Sequence, residues 1–233
     1  MTRLPDLSIY VRALGMLARN PSIFAAPLLG AVVAIVLEAF GTNLTGQLGS
    51  FGASILTWIA NIFYFFAFAI AIIQADALER GMRASFEMSW EEARRKAGGI
   101  IVAAIGFWFL FYIAQYVGAL LGSAELMIAL ELLVAFVLIY TIPASAIGGL
   151  PGNLALGGSY RAVRANVLGA VLLVIAFLIF FWFVPEILAT LITVRLNLAP
   201  TEGALIDAFF HALGLGYLAF PFAKQYADVA YRA

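Results

Sequence analysis

Six long apolar runs dominate this chain of 233 residues and constrain its fold more than any other feature. Each run is close to the roughly 20 residues that an α-helix needs to cross the hydrocarbon core of a membrane. The runs are continuous rather than alternating, and backbone in lipid must satisfy its own hydrogen bonds, so helices fit them better than barrel strands. We predict an all-α, polytopic membrane bundle whose six transmembrane helices cover about 22–40, 54–79, 99–122, 123–147, 167–193 and 203–223.

The composition agrees with this fold class. Hydrophobic residues make up 64% of the chain and charged residues 11%, with a mean hydropathy of +1.03. Soluble proteins carry about 25% charged residues, so little of this chain can face water, and we expect a single membrane domain over 1–233. The formal net charge of zero argues against a nucleic-acid partner. The absence of cysteine excludes disulfides and thiolate metal ligands.

The basic residues set the expected topology. Cytoplasmic segments of membrane proteins are enriched in Lys and Arg. If the N-terminus is cytoplasmic, twelve of the 13 basic residues fall in cytoplasmic segments and only Arg195 falls outside. We therefore predict a multi-pass protein of a bacterial inner membrane with both termini in the cytoplasm. The uncharged stretch 41–53 is then expected to be an external loop.

Three short segments on the cytoplasmic side have the pattern of interfacial helices. In residues 4–20, Leu7, Val11 and Leu14 share one face and Arg12 and Arg19 share another, which is typical of a helix lying in the headgroup region. The other two inner segments are 85–97 and 154–173. For 85–97, the two interpretations are a solvated helix that runs into the third apolar run and a docking surface for a cytosolic partner. Ser89 and Glu92 predict a capping box there. The side chains expected to contact lipid headgroups are Arg12, Arg19, Arg94, Arg95, Lys96, Arg161 and Arg164.

Two of these segments align with each other. Ser89 and Arg94 match Ser159 and Arg164 at an offset of 70 residues, and an apolar run follows both. This pattern predicts three helical-hairpin repeats over 1–80, 81–147 and 148–233. The general rules of membrane sequences would produce the same pattern without a repeat, so both interpretations stay open.

Several features together resemble a known family. Asn20-Pro21 follows the amphipathic N-terminal segment, and Pro143 ends the fourth run. The stretch ALGGSYRAVRAN (155–166) precedes the fifth run, and the tail reads YADVAYR (226–232). The chain is similar to the uncharacterised six-helix bacterial membrane proteins that resemble the membrane domain of glycerophosphodiester phosphodiesterases. The resemblance implies the six-helix fold and topology but not phosphodiesterase activity, because no stretch here has the composition of the soluble catalytic domain.

Strongly polar residues inside the apolar runs are the candidate site. Five predicted helices each place one such residue about 11–12 Å below the outer surface, and one more lies a turn away. Polar groups in lipid are costly and often functional. The layer suggests an outward-facing binding site or proton relay, or else simple interhelical hydrogen bonding. A carboxylate–histidine metal site and a tetrapyrrole on His211 are less favoured alternatives. The predicted layer consists of Asn61, Gln115, Glu131, Glu186, Asp207 and His211.

The sequence contains no recognisable catalytic motif. It has no nucleophile elbow, phosphate-binding loop, dinucleotide fingerprint or zincin motif. We therefore predict a non-enzymatic accessory or scaffold protein that needs no cofactor or metal and contacts membrane lipids and other membrane subunits. The alternatives are a small transporter or permease that uses the polar layer, and a lipid-handling membrane protein. A water-accessible cavity reaching Glu131 or Glu186 would favour the transporter.

Overall fold

The protein is an all-α helical bundle. A computed structural model describes residues 5–230, with side chains for all of them except Glu38 and 41–54. Within that range the chain forms helices and short connections and contains no strand. The all-α prediction is confirmed. Arg3, Arg232 and the last residues of the tail motif lie outside the described residues.

The helices follow one another with short connections. A 3₁₀ turn at Pro21–Phe24 and a π-helical segment at Leu178–Phe183 interrupt the regular pattern. The α-helices are α1 (Ser8–Arg19), α2 (Ala25–Glu79), α3 (Phe86–Arg95), α4 (Ala97–Leu120), α5 (Ala124–Val137), α6 (Thr141–Ala146), α7 (Asn153–Ala165), α8 (Val167–Phe177), α9 (Val184–Leu196) and α10 (Pro200–Ala230).

The long helical segment α2 folds back on itself. Gly30 packs so closely on the later part of α2 that a Cβ on it would lie 2.7 Å from the Cβ of Ala67. In a straight helix, residues 37 apart would be separated by about 55 Å. The chain therefore reverses direction within α2, and 25–37 and 55–79 are the antiparallel arms of a hairpin. The stretch 41–53, expected as an external loop, joins these two arms, and its backbone is helical.

The chain is a multi-pass membrane protein. Among the described residues, five helices are long and apolar enough to cross a membrane. The first predicted run, about 22–40, corresponds to the segment Pro21–Leu37, which reaches the required length only when joined to α1, from which it is bent by 97°. Each of the six predicted runs lies on one of these elements. The five helices are Ile55–Glu79, Ala97–Leu120, Ala124–Ala146, Val167–Leu196 and Pro200–Ala230.

The short helices α1, α3 and α7 lie at one end of the bundle, which we call the basic end. Hydrogen bonds tie α1 and α7 to the long helices. Gly152 N, just before α7, donates to Gly99 O of α4 at 3.2 Å, and Tyr217 Oη of α10 donates to Tyr10 O of α1 at 2.9 Å. The predicted capping box in α3 is wrong. Ser85 caps the helix by accepting a hydrogen bond from the N–H of Met88, because the helix begins one turn earlier than expected.

The order of elements recurs along the chain. A short amphipathic helix precedes a helical hairpin at α1 and α2, again at α3 to α6, and again at α7 to α10. The junctions after α1 and α7 have similar backbone angles, φ −131° and ψ 64° at Asn20 against φ −144° and ψ 66° at Asn166. The predicted sequence repeat stays a prediction, since similar local geometry does not establish common descent.

Helix α10 is the centre of the core. It is buried without interruption from Gly214 to Ala223. The ring of Phe222 packs edge-on against Phe68 with centroids 5.2 Å apart, and lies 6.4 Å from the ring of Phe177. The core therefore joins α10 to the second arm of α2 and to α8, and holds together parts of the chain that are far apart in sequence.

Candidate functional site

The end of the bundle away from the short helices contains an open groove of about 430 Å³. It lies between the start of α10 and the region where the π-helical segment joins α9. Two carboxylates, one imidazole and two aromatic rings line it. The lining residues are Phe181, Trp182, Glu186, Asp207 and His211.

The wall formed by Phe181 and Trp182 owes its shape to proline and glycine. Pro185 stands at the start of α9 and has no N–H to donate to the carbonyl four residues earlier. The chain widens into a π-helical turn just before it, a distortion that often marks functional sites. The carbonyl of Phe180 lies directly against Gly214 of α10, where any side chain would collide with it.

Asp207 and His211 form a pair on one face of α10, as the i,i+4 spacing predicts. The Nδ1 atom of His211 lies 2.9 Å from the backbone carbonyl oxygen of Asp207 and 3.2 Å from its Oδ1. Both neighbours are acceptors, so Nδ1 carries the proton and Nε2 of the neutral ring is an acceptor. The ring of Phe181 packs edge-on against His211 at 5.1 Å and fixes its orientation.

Glu186 joins this pair at the groove but does not face the bundle interior. Interhelical hydrogen bonding, one interpretation of the predicted layer, would need Glu186 to face the other helices, but its side chain is exposed. The buried face of α9 is formed instead by Pro185 and Ala189.

The remaining members of the predicted layer lie elsewhere. Asn61 Nδ2 donates a long hydrogen bond of 3.5 Å to Tyr112 Oη, between α2 and α4. Gln115 on α4 and Glu131 on α5 are half-buried and do not line the groove. The structure thus brings together Glu186, Asp207 and His211, and leaves Asn61, Gln115 and Glu131 apart from them.

The groove does not have the ligand geometry of a metal centre. Among the described residues, no group of three His, Asp or Glu side chains is placed to hold a metal ion. His211 is half-buried, and its Nδ1 is already engaged by Asp207. The metal alternative therefore has no geometric support in this part of the chain.

The predicted headgroup residues lie at the basic end, and four of them form what we call the headgroup set. Their guanidinium groups are on exposed residues of α1, α3 and α7, and none has a carboxylate within 4 Å among the described residues. The guanidinium of Arg164 also lies over the ring of Tyr160, 5.8 Å from its centroid. The headgroup set consists of Arg19, Arg95, Arg161 and Arg164.

The other three predicted headgroup residues form ion pairs with carboxylates of the same chain. Arg12 contacts Asp6 at 3.0 Å and Glu79 at 3.9 Å. Arg94 forms two hydrogen bonds with Glu91, at 3.0 and 2.9 Å, and these bonds hold the pKa of the Glu91 carboxyl below its ordinary value.

Lys96 has a structural position that the sequence did not suggest. Its Nζ donates to Glu92 and to the carbonyl oxygen of Ala146, both at 2.7 Å. It therefore joins the α3–α4 junction to the last residue of α6, where orphan helix carbonyls need donors.

A buried polar network at the basic end was missed entirely. Gln225 is 1% exposed. Its Oε1 accepts a hydrogen bond from Tyr140 Oη at 3.2 Å, and its Nε2 donates to Tyr10 Oη at 2.7 Å. These partners lie 85 and 215 residues away in sequence, so no local pattern could have indicated the network.

Comparison with known proteins adds no relative. No family model, no curated protein and no solved structure matches the chain. The resemblance to the membrane domain of glycerophosphodiester phosphodiesterases therefore stays a prediction from the sequence.

Proposed function

We propose that this chain is a non-enzymatic accessory protein of a bacterial inner membrane, with both termini in the cytoplasm, that contacts membrane lipids and other membrane subunits. The observation that carries the proposal is the headgroup set. Four arginines without carboxylate partners among the described residues lie on three short helices at one end of the bundle.

Each of these helices combines an exposed arginine with exposed apolar side chains. Val11 of α1 is 75% exposed, Met88 of α3 is 62% exposed, and Leu154 of α7 is 55% exposed. Such a surface is unfavourable in water. At a membrane interface the apolar side chains enter the acyl region while the arginines meet lipid phosphates. A surface of this kind suits a protein that binds anionic lipids around a membrane assembly.

The proposal is tested by measuring retained lipid. The fourfold variant Arg19→Gln, Arg95→Gln, Arg161→Gln and Arg164→Gln is purified from nanodiscs of mixed phosphatidylglycerol and phosphatidylcholine, and bound lipids are counted by native mass spectrometry. Each arginine near an anionic membrane surface contributes about 1 kcal/mol to binding. The variant's preference for phosphatidylglycerol over phosphatidylcholine should therefore be at least tenfold lower than that of the wild-type protein.

Arg94→Gln is the matched control, because Glu91 already neutralises this arginine. It should retain the wild-type preference. Equal retention of the two lipids by the wild-type protein would contradict the proposal. Contact with other membrane subunits is tested by mass spectrometry of the proteins that co-migrate with this chain in native nanodiscs. If the chain always migrates alone, the accessory role is excluded.

A small transporter is the second candidate, and the groove is the observation that favours it. The groove is open and reaches Glu186, as a transport site would require. Beyond the groove, however, α10 is buried from Gly214 to Ala223, and the packed core closes the way to the basic end. If the protein is a proton-coupled transporter, Glu186→Gln should abolish proton flux in proteoliposomes while leaving the folded fraction unchanged. Equal flux in protein-free and protein-containing vesicles would exclude this candidate.

A further inference from the structure

We propose that the groove lined by Phe181, Trp182, Glu186, Asp207 and His211 binds a protonated primary amine. This site is separate from the headgroup set and does not depend on it, because it lies in the opposite half of the bundle. Three features of the groove favour such a ligand: its balance of acceptors and donors, its aromatic walls and its position.

The polar groups of the groove are mainly acceptors. Glu186 and Asp207 supply carboxylate oxygens, and His211, whose Nδ1 donates to Asp207, offers Nε2 as an acceptor in its neutral form. No lysine or arginine lines the groove. A phosphate or carboxylate ligand would need donors and would meet two like charges. A primary ammonium group has positive charge and three N–H donors, which match the three acceptor groups.

The aromatic rings add a second reason for a cation. Phe181 and Trp182 line the same groove as the carboxylates, and the faces of aromatic rings attract ammonium groups, tryptophan most strongly. The groove volume of about 430 Å³ lies within the range of small-ligand sites. It has room for an amine together with the first atoms of its substituent.

The position of Glu186 favours a positively charged occupant. Glu186 is exposed on a helix long and apolar enough to cross a membrane, and a carboxylate facing lipid is costly unless it is paired. The described neighbours provide no ion pair for it. A bound ammonium group would supply the missing partner.

The amine has two sources, the headgroup of phosphatidylethanolamine or a water-soluble amine. The first experiment uses the wild-type protein in nanodiscs containing equal parts of phosphatidylcholine and one test lipid. The test lipids are phosphatidylethanolamine and its monomethyl and dimethyl derivatives. If the lipid is the source, retention relative to phosphatidylcholine should be about tenfold for phosphatidylethanolamine, since charged hydrogen bonds dominate binding, and should fall as each N–H is replaced.

The second experiment uses pure phosphatidylcholine nanodiscs and titrates ethanolamine, with choline as the control that lacks ammonium N–H. If a soluble amine is the source, ethanolamine should raise the thermal unfolding midpoint of the protein. It should also quench or shift the emission of Trp182, identified as the part of the tryptophan fluorescence that Trp182→Phe removes. Choline should do neither. A flat methylation series together with no response to ethanolamine would overturn the proposal, and this result needs no variant to fold.

Variants place the effect in the groove. Glu186→Gln and Asp207→Asn should each reduce the amine preference about tenfold or more. Glu131→Gln removes an intramembrane carboxyl outside the groove and should leave the preference unchanged. If Glu131→Gln weakens amine binding as much as Glu186→Gln does, the assignment to this groove is wrong.

Discussion

Among single residues, Gln225 connects the most distant parts of the chain. Its amide joins Tyr10 of α1 to Tyr140, which precedes α6, from a buried position on α10. Hydrogen bonds inside a membrane protein are modest on average, about 0.6 kcal/mol each. A buried polar group that loses its partner costs more, about 1–3 kcal/mol.

We predict that Gln225→Leu lowers the free energy of unfolding by about 1–3 kcal/mol, because it leaves two tyrosine hydroxyls without their partner. The thermal midpoint of the purified protein measures this. Gln115→Leu is the matched control, since Gln115 is half-buried and has no hydrogen bond among the described residues. Equal losses from the two substitutions would show that the network contributes no specific stability.

Sequence reasoning succeeded at the residue scale where spacing alone fixes proximity. Asp207 and His211 are four residues apart, so the sequence places them on one face of a helix, and the structure has them 3.2 Å apart there. Depth along the helices placed Glu186 at a level similar to theirs, but depth does not give the angular position around a helix. Depth also does not show which helices are neighbours: α5 packs against α4, α7 and α8, so Glu131 lies outside the groove that Glu186 lines.

At the scale of elements, the hairpin of α4 and α5 depends on one close approach. A Cβ on Gly118 would collide with the backbone of Met127 on α5. Gly118 and Gly122 have the GxxxG spacing that often marks helix pairing. Here the spacing serves packing inside the chain, because Gly118 contacts α5 and Gly122 has φ +67° in the turn that follows α4.

We predict that Gly118→Ala destabilises the protein by about 1–3 kcal/mol, the usual cost of overpacking a tight contact. Gly98→Ala, near the start of the same helix, has open space around the new methyl group. It should change stability by less than about 1 kcal/mol, in the stabilising direction. Chemical or thermal unfolding in detergent compares them, and a neutral Gly118→Ala would mean that α4 and α5 can separate without loss.

The apolar runs predicted the elements well because the length of a membrane span is fixed by the bilayer. The departures occur where local chemistry competes with that rule. Pro185 is preceded by a π-helical turn that hydropathy cannot reveal. Ser85 rather than Ser89 caps α3: only Ser89 has a glutamate three residues later, but the helix begins at Phe86, one turn before the position that this pattern predicts.

For the whole molecule, the sequence predicts that both termini lie in the cytoplasm. Reporter fusions that report the side of the membrane should place Arg83 on the same side as the termini, and Gly122 and Thr201 on the opposite side. The physical reason is the count of basic residues in the sequence: twelve fall in the predicted cytoplasmic segments and only Arg195 falls in an external one. A cytoplasmic signal from the Thr201 fusion would refute this topology.

The contact between α1 and α10 has a consequence for how the protein is made. Tyr10 is bonded to residues 207 and 215 positions later in the chain. At a synthesis rate of about 5–20 residues per second, roughly 10–40 s pass between the emergence of these partners. During that interval Ile9 and Ala13, which are buried in the finished protein, have no protein surface to cover them. If α1 lies in the membrane interface, as the sequence predicts, its apolar face is expected to stay in contact with lipid until α10 is inserted and completes the fold.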